Sequence, residues 1–505
     1  MTFSFAEIAR RRTLCCLGLG AFVLVARAAL LPVWPIPVPS IYDEFSYLLQ
    51  ADTFAHGRLA NPTHPLWPFF ESIYILQQPT YASRYPPGQG LAMALGQTAL
   101  GNPWFGVWLS CGILAAALAW ALYAWLPPKW ALAGAALGLQ VCFFGYWMNS
   151  YWGGAVTATG GALVIGAWRR ITHRGDSRQA WTLGAGAVVL MLTRPFEGGL
   201  LLIPVLAALR GQALRGRSGK VWLPILVCGA VGAAWLGYDN YRVTGHALRL
   251  PYTEYFAQYE TVPPLSVLPL APATSRTFRH FDLEWLDKGY ALDLWKKART
   301  WSFIPKRAHD WYMVLKTILG SSLAIVPLLL FAPRLFRSRR TRFLMCLAAV
   351  AVAGSLVEVG YFPHYAAPFA AVFLILAAQS IRSLRSYAPA VLGMIFVYVL
   401  WSDASQIYGH RTPDRFLAVN SRKGRIEENL ALRSPGRHVI FVRYTGAQSP
   451  HEEWIYNKAD IDASPVVWAQ DMGDDENRRL MQYFAGRAFW RFQPDESPDT
   501  PTPYR

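Results

Sequence analysis

Long apolar runs, separated by short polar loops and by two long stretches, recur from residue 13 to residue 402, and they read as membrane helices rather than one large core. The runs lie near 13–33, 104–126, 130–147, 153–169, 180–193, 198–210, 221–238, 312–333, 343–361, 365–380 and 387–402, which predicts about eleven transmembrane helices. Several are shorter than the roughly 20 residues a span wants. The apolar stretch Gly88–Gly101 is predicted to be a helix on the membrane surface, because a twelfth span there would invert everything after it.

Charge fixes the orientation. Arg10–Arg12, Arg169 to Arg178, Arg210 to Lys220, Arg334 to Arg342, and Arg382 with Arg385 all fall in loops on one side, the positive-inside pattern. The N-terminus is then cytoplasmic and the chain after 402 extracytoplasmic. The first run starts basic and contains Ala26-Arg27-Ala28, a weak cleavage-like site, but its length predicts an uncleaved first span. Three outer masses follow: a first loop at 34–103, a second at 239–311, and the tail. The domain layout is thus a membrane domain at 1–402, a small α/β domain at 403–492 and a Pro-rich disordered end at 493–505. Within the tail, His438–Tyr444, Pro465–Gln470 and Ala488–Phe492 read as strands and Asp474–Gly486 as a helix.

Composition supports the class. The chain is 53% hydrophobic, only 16% charged, and carries a net charge of +17. Those positive charges are spent on the cytoplasmic loops, so no nucleic-acid partner is expected. All six cysteines fall in predicted spans with no metal-ligand spacing, and no disulfide is expected.

Polar residues in or beside apolar runs are costly and mark function or internal pairing. Arg27, Asp43, Glu44, Arg84, Arg194, Glu197, Asp239, Glu358 and His364 all map to the outer face. The plain readings are that Arg27 snorkels, Glu358 pairs with an arginine, Asp239 ends a helix, and Asp43 with Glu44 opens one. A mixed cluster of acids and bases at one face also suits a site that holds a lipid-phosphate headgroup and activates a nucleophile.

Tyr42-Asp43-Glu44 after the first span resembles the first-loop motif of the GT-C membrane glycosyltransferases, in particular the protein O-mannosyltransferase and lipid A aminoarabinose transferase group. Ser83-Arg84-Tyr85-Pro86-Pro87-Gly88 resembles that group's basic-Pro-Pro motif, with Tyr85 where the group has lysine. Leu192-Thr193-Arg194-Pro195-Phe196-Glu197-Gly198 and Pro363-His364-Tyr365-Ala366-Ala367-Pro368 are similar to two later motifs in the same order. Where the group often has an acid, this chain reads Met148-Asn149-Ser150-Tyr151-Trp152-Gly153-Gly154.

The resemblance implies transfer of a sugar from a polyprenyl-phosphate carrier to an acceptor hydroxyl, with inversion, at the outer face of the inner (plasma) membrane. An acceptor hydroxyl needs a general base, and Asp43 is the candidate, with Glu44 in support. The lipid-phosphate leaving group needs fixed positive charge, for which Arg84, Tyr85, Arg194 and His364 are candidates. Asn149, Tyr151, Trp152 and Glu197 are candidates for the sugar or acceptor, Tyr151 and Trp152 because Gly153 and Gly154 permit close approach. No cofactor is certain; a divalent metal is compatible with the two acids. The acceptor stays open among lipid, glycan and protein. A glycolipid transporter or flippase, and a non-catalytic envelope protein whose outer domain binds a partner through His451–Asp462, remain as alternatives.

Overall fold

The computed structural model describes residues 4–39, 41–213, 218–272, 278–409, 415–434, 436–444, 452–496 and 500–504. Two compact units result, one from Met1–Ile36, Trp104–Leu236 and Ala298–Arg411, the other from Pro37–Pro103, Gly237–Lys297 and Thr412–Arg505. His451, the first residue of the partner-binding stretch His451–Asp462 offered above, lies outside the described residues.

The first unit is helical, and its helices approach closely through small residues, as lipid-embedded helices do. Ala155–Arg174 packs on Gln179–Thr193 where Gly160 meets Gly186: a Cβ added to Gly186 would stand 2.7 Å from the Gly160 carbonyl oxygen. On the other side of Ala155–Arg174, a Cβ on Gly161 would stand 2.0 Å from the Pro368 carbonyl oxygen.

Each expected run contains helix, but those at 13–33, 130–147 and 343–361 leave it at Ala29, Phe143 and Ser355, and length alone does not give a count of eleven. Among the described residues four helices are long and apolar enough to cross a membrane: Arg12–Ala29, Trp104–Trp125, Ser218–Thr244 and Arg385–Ser405. A fifth follows only if Phe303–Leu319 and Ser322–Leu330, which meet at 108°, count as one. The bend sits at Gly320, whose φ of +71° is the left-handed turn that ends a helix. The run at 130–147 is likewise broken, into Pro128–Leu137 and Leu139–Phe143. All six cysteines are free.

The second unit joins both outer loops and the tail. The stretch Gly88–Gly101 is the 14-residue helix Pro87–Leu100, too short to span, and it packs on the first-loop helix Tyr42–Ala55. Gln97 Nε2 donates to Asp52 Oδ1 across that contact at 2.7 Å. Thr80–Ser83 pairs antiparallel with Asn61–Pro62 on one side and Ile75–Leu76 on the other.

In the tail, His438–Val442 is the central strand, parallel to Val466–Gln470 and to Ala488–Phe492, with Asp474–Tyr483 as the crossover helix. Every residue of the central strand is buried, which is why it reads as an unbroken apolar run. Helix and loop must cover both of its faces, and one cover comes from the first loop. Val439, Phe441, Val467 and Leu480 share a core with Leu49, Phe69, Phe70, Ile75 and Tyr81. The other face packs within the tail itself, where Ile440, Val442, Trp468 and Phe492 meet Ile426 and Leu430. The Pro-rich end is not free either: Thr502–Pro503 pairs antiparallel with Trp490–Arg491, and the Tyr504 hydroxyl donates to Asp474 at 2.6 Å.

Replacing Gly161 with valine forces the Pro368 backbone to move, and should cost about 1–3 kcal/mol. The check is the unfolding midpoint in detergent, with Gly199→Ala, where nothing lies within 4 Å, as the neutral control. A second expectation concerns Glu453, buried in the tail. Burial, with Asp282 beside it, pushes its carboxyl up to about 8 from 4.5. The folded chain then holds a proton that the unfolded chain releases across that window, so stability falls as pH rises from 4.5 to 8. Glu453→Gln should flatten that slope; an unchanged slope in unfolding curves from pH 5 to 8 would assign it to other groups.

Candidate active site

In the second unit the Asp43 side chain is positioned by the start of a helix. Tyr42–Ala55 opens with Asp43 and Glu44 in its first turn, where acids face the unpaired N–H groups of the helix end. The two acids have different surroundings. Glu44 is buried, and its Oε2 accepts the Ile41 backbone N–H at 3.2 Å, tying the helix start. Asp43 is half-buried, and its Oδ1 accepts a hydrogen bond from the Tyr85 hydroxyl. Among the described residues no three His, Cys, Asp or Glu side chains gather as a metal would need.

Tyr85 is held from several sides. Its ring stacks on Tyr47 at 4.3 Å and 13°, and its carbonyl accepts Gln50 Nε2 at 2.7 Å. Pro86 and Pro87 explain why Arg84 and Tyr85 project here. A residue before proline is kept extended, and Pro87 occupies the first position of the next helix, so the strand Thr80–Ser83 must turn at this point. Burial and the Asp43 charge raise the Tyr85 phenol well above its ordinary range, so it stays a neutral donor.

Arg84 sits in a box of tyrosines. Its guanidinium carbon lies 3.3 Å from the Tyr74 ring centre, 4.5 Å from that of Tyr252 and 5.2 Å from that of Tyr255. Its Nη1 donates to Glu260 Oε1 at 2.6 Å. Burial opposes the charge on Arg84, but Glu260 and the tyrosines outweigh it, and the guanidinium stays ionised. Burial raises Glu260, and Arg84 opposes that rise. Sequence reasoning missed Glu260 and the tyrosines facing Arg84. Their signal was Tyr252-Thr-Glu-Tyr255-Phe-Ala-Gln-Tyr259-Glu260, a tyrosine-spaced helix closed by an acid.

The remaining candidates lie in the first unit. Arg194 closes the helix Gln179–Thr193 because Pro195 follows it. It pairs with Glu197 Oε1 at 3.2 Å and lies 4.2 Å over the Tyr365 ring. His364 Nδ1 shares a 2.7 Å hydrogen bond with the Tyr146 hydroxyl, and the Trp152 ring lies 5.4 Å from the imidazole. Burial, reinforced by Arg194, holds His364 neutral. Arg194, Glu197, Tyr365, His364, Tyr146 and Trp152 thus form one aromatic and charged group.

Asn149 is engaged elsewhere. Its Nδ2 donates to the carbonyls of Phe144 and Gly145, and its Oδ1 accepts from Arg27 at 3.4 Å. Arg27 is itself buried and donates to the Trp34 and Pro35 carbonyls at 2.8 and 3.1 Å. Tyr151 is buried, and the second of the two glycines after Trp152 serves packing: a Cβ on Gly154, at φ +120°, would stand 2.5 Å from Trp147 Nε1. Glu358 Oε1 is buried without a hydrogen-bond partner among the described residues, while its backbone carbonyl accepts Arg307 Nη2 at 2.5 Å.

The Arg84–Glu260 pair gives a test of this description. Glu260→Ala strands a buried guanidinium and should lower stability by about 3–5 kcal/mol. The double variant Arg84→Met, Glu260→Leu should recover most of that loss in denaturant unfolding; no recovery would mean that the tyrosine box, not the ion pair, holds the loops.

No protein-family model matches the chain. No curated protein matches it either. Among solved structures, ArnT from Cupriavidus metallidurans in the apo state aligns over 94% of this chain and 93% of its own, with 14% identity and a TM-score of 0.53. The same protein bound to undecaprenyl phosphate aligns over the same shares, with 13% identity and a TM-score of 0.50. The chain therefore has an ArnT-like fold from end to end, the fold of the group that its sequence motifs resemble.

Proposed function

We propose that this chain is an inverting glycosyltransferase that moves a sugar from a polyprenyl-phosphate carrier to an acceptor hydroxyl outside the membrane. The observation that carries the reading is Asp43: a half-buried carboxylate at a helix start, oriented by the Tyr85 hydroxyl. The fold shared with ArnT, one of whose structures holds undecaprenyl phosphate, supports the carrier class.

The chemistry is one displacement. The acceptor O–H gives its proton to an Asp43 oxygen as the acceptor oxygen bonds to the anomeric carbon, and the bond from that carbon to the carrier phosphate breaks. The carrier leaves as a phosphate anion, already a good leaving group, so no acid is required. One essential carboxylate suffices, unlike the two of soluble glycosidases. Tyr85 keeps Asp43 in one orientation; it takes this role rather than that of the phosphate contact assigned to the lysine position. Glu44 supports the helix start and touches neither substrate.

Arg84, paired with Glu260, and Arg194, paired with Glu197, are both kept for the carrier phosphate, with the neutral His364 beside Arg194 as a hydrogen-bond donor. Glu197 and Trp152 remain for the sugar or acceptor, while Asn149 and Tyr151 hold the packing around them. The sugar, and the choice among lipid, glycan and protein acceptors, follow from the assay rather than from these residues.

Purified protein incubated with polyprenyl-phosphate sugars should consume the donor. Asp43→Asn should lower turnover at least about 100-fold, the range of a lost general base. Tyr85→Phe, which removes one orienting hydrogen bond, should lower it about 3- to 10-fold. Full activity in Asp43→Asn would remove Asp43 from the reaction. Consumption by neither protein across a range of carrier-linked sugars, with vesicle transport intact, would replace the transferase with a transporter.

A further inference from the structure

A neutral imidazole donates from one nitrogen and accepts at the other, so its neighbours decide what it can bind. In the first unit, burial and the nearby Arg194 charge keep a second proton off His364. The ring is also fixed in direction. Phe362 lies parallel to it at 5.9 Å and 5°, with Trp152 and Tyr365 edge-on at 5.4 and 4.8 Å. Tyr365 links the imidazole to Arg194, whose guanidinium lies 4.2 Å over the same tyrosine ring.

The two ring nitrogens have unlike surroundings. Nδ1 lies 2.7 Å from the Tyr146 hydroxyl. Nε2 has no hydrogen-bond partner among the described residues, and unlike the indole nitrogen of Trp152 beside it, it is not sealed from solvent. The Tyr146 hydroxyl has one proton to give, and Nδ1 is its only acceptor among the described residues. The His364 backbone N–H also faces the phenol oxygen, and it too is a donor. Were Nδ1 to carry the imidazole proton, the phenol proton would be left without an acceptor among these groups. Tyr146 is itself held by the Ser150 hydroxyl, which donates to its carbonyl at 2.6 Å.

We propose that Tyr146 is a positioning residue: by donating to Nδ1 it places the imidazole proton of His364 on Nε2, where it serves a phosphate oxygen of the carrier beside Arg194. The site of the proton follows from these neighbours alone, while the phosphate rests on the proposed glycosyl transfer. With the proton on Nδ1 instead, Nε2 would turn a lone pair toward the phosphate oxygens and repel them. On Nε2 it makes a hydrogen bond to an anion, which is stronger than one between neutral groups. Tyr146 touches no substrate atom in this scheme.

Proton and phosphate are tested separately. Full-length protein isotope-labelled at its histidine nitrogens and held in lipid bilayers is measured by solid-state NMR, and the His364 signals are those missing in His364→Gln. The wild type should show a protonated Nε2 and a bare, hydrogen-bonded Nδ1, and Tyr146→Phe should shift the Nδ1 signal to that of a nitrogen without this bond. A proton on Nδ1 in the wild type overturns the proposal, whatever the activity. If His364→Gln fails to fold, His364 is the histidine whose Nδ1 signal moves in Tyr146→Phe, and the absence of any moving signal overturns the proposal equally. Binding of undecaprenyl phosphate, with no sugar present, gives the second reading. Tyr146→Phe should weaken it about 3- to 10-fold, the scale of one hydrogen bond. In His364→Gln the amide N–H stands in for the imidazole donor without help from Tyr146, so there the same change should cost less than about twofold. An equal loss in both backgrounds would make Tyr146 a packing residue and overturn its positioning role. No binding by the wild type would overturn the carrier reading, and the phosphate contact with it, while the NMR result would still decide the site of the proton.

Discussion

A carboxylate that is to remove a proton must be partly withdrawn from water and still be held in one orientation. The Tyr85 hydrogen bond to Asp43 meets both needs, and much of the second unit serves it. The helix Tyr42–Ala55 supplies the carboxylate, and the turn Arg84–Pro87 supplies the phenol. Gln50 fastens that turn back to the same helix by one backbone contact. Ser46 fastens it again through Ser83 and the Tyr74 carbonyl, at 2.8 and 2.7 Å. Asp52 then carries the helix to the tail by accepting the Ala459 N–H at 2.8 Å. One helix thus bears the proposed general base at its start and the ties that hold it along its length.

The Arg84–Glu260 pair follows a related constraint. A guanidinium buried among tyrosine rings costs free energy unless a carboxylate meets it, and Glu260 from the second outer loop provides one. The ring faces add attraction for the cation, and they exclude the water that would screen the pair. The first and second outer loops are joined at this point by charge, and the first loop is joined to the tail by apolar burial of Phe69 and Phe70 with Phe441. Loops without long regular elements gain a fixed shape in this way.

Local features were legible in the sequence because their causes are local. Two acids after an apolar run gave the helix start at Asp43 and Glu44. Paired prolines gave the turn at Arg84 and Tyr85, and a five-residue apolar run gave the buried strand His438–Val442. Contacts between distant segments were not legible. Glu260 is 176 residues from Arg84, and nothing in either neighbourhood names the other. Glu44 read as support for Asp43, but neither its tie to a backbone N–H nor the phenol that meets Asp43 was legible. Asn149 read as a binding residue because an exposed loop was expected, whereas carbonyls and Arg27 take up its amide. The first-loop residues that cover one face of the tail's sheet and the breaks within the apolar runs were hidden for a shared reason. Apolar composition shows that a segment is buried or membrane-embedded, but not which neighbour buries it or whether a run is one straight helix.

The central claim is that one carboxylate, Asp43, drives a single displacement at the anomeric carbon. The most direct measurement is the anomeric configuration of the first-formed product, read by NMR before any equilibration, from a polyprenyl-phosphate sugar of known configuration. The account predicts a product of opposite configuration to the donor. A product of retained configuration would require a covalent intermediate on a second nucleophile, and would contradict it.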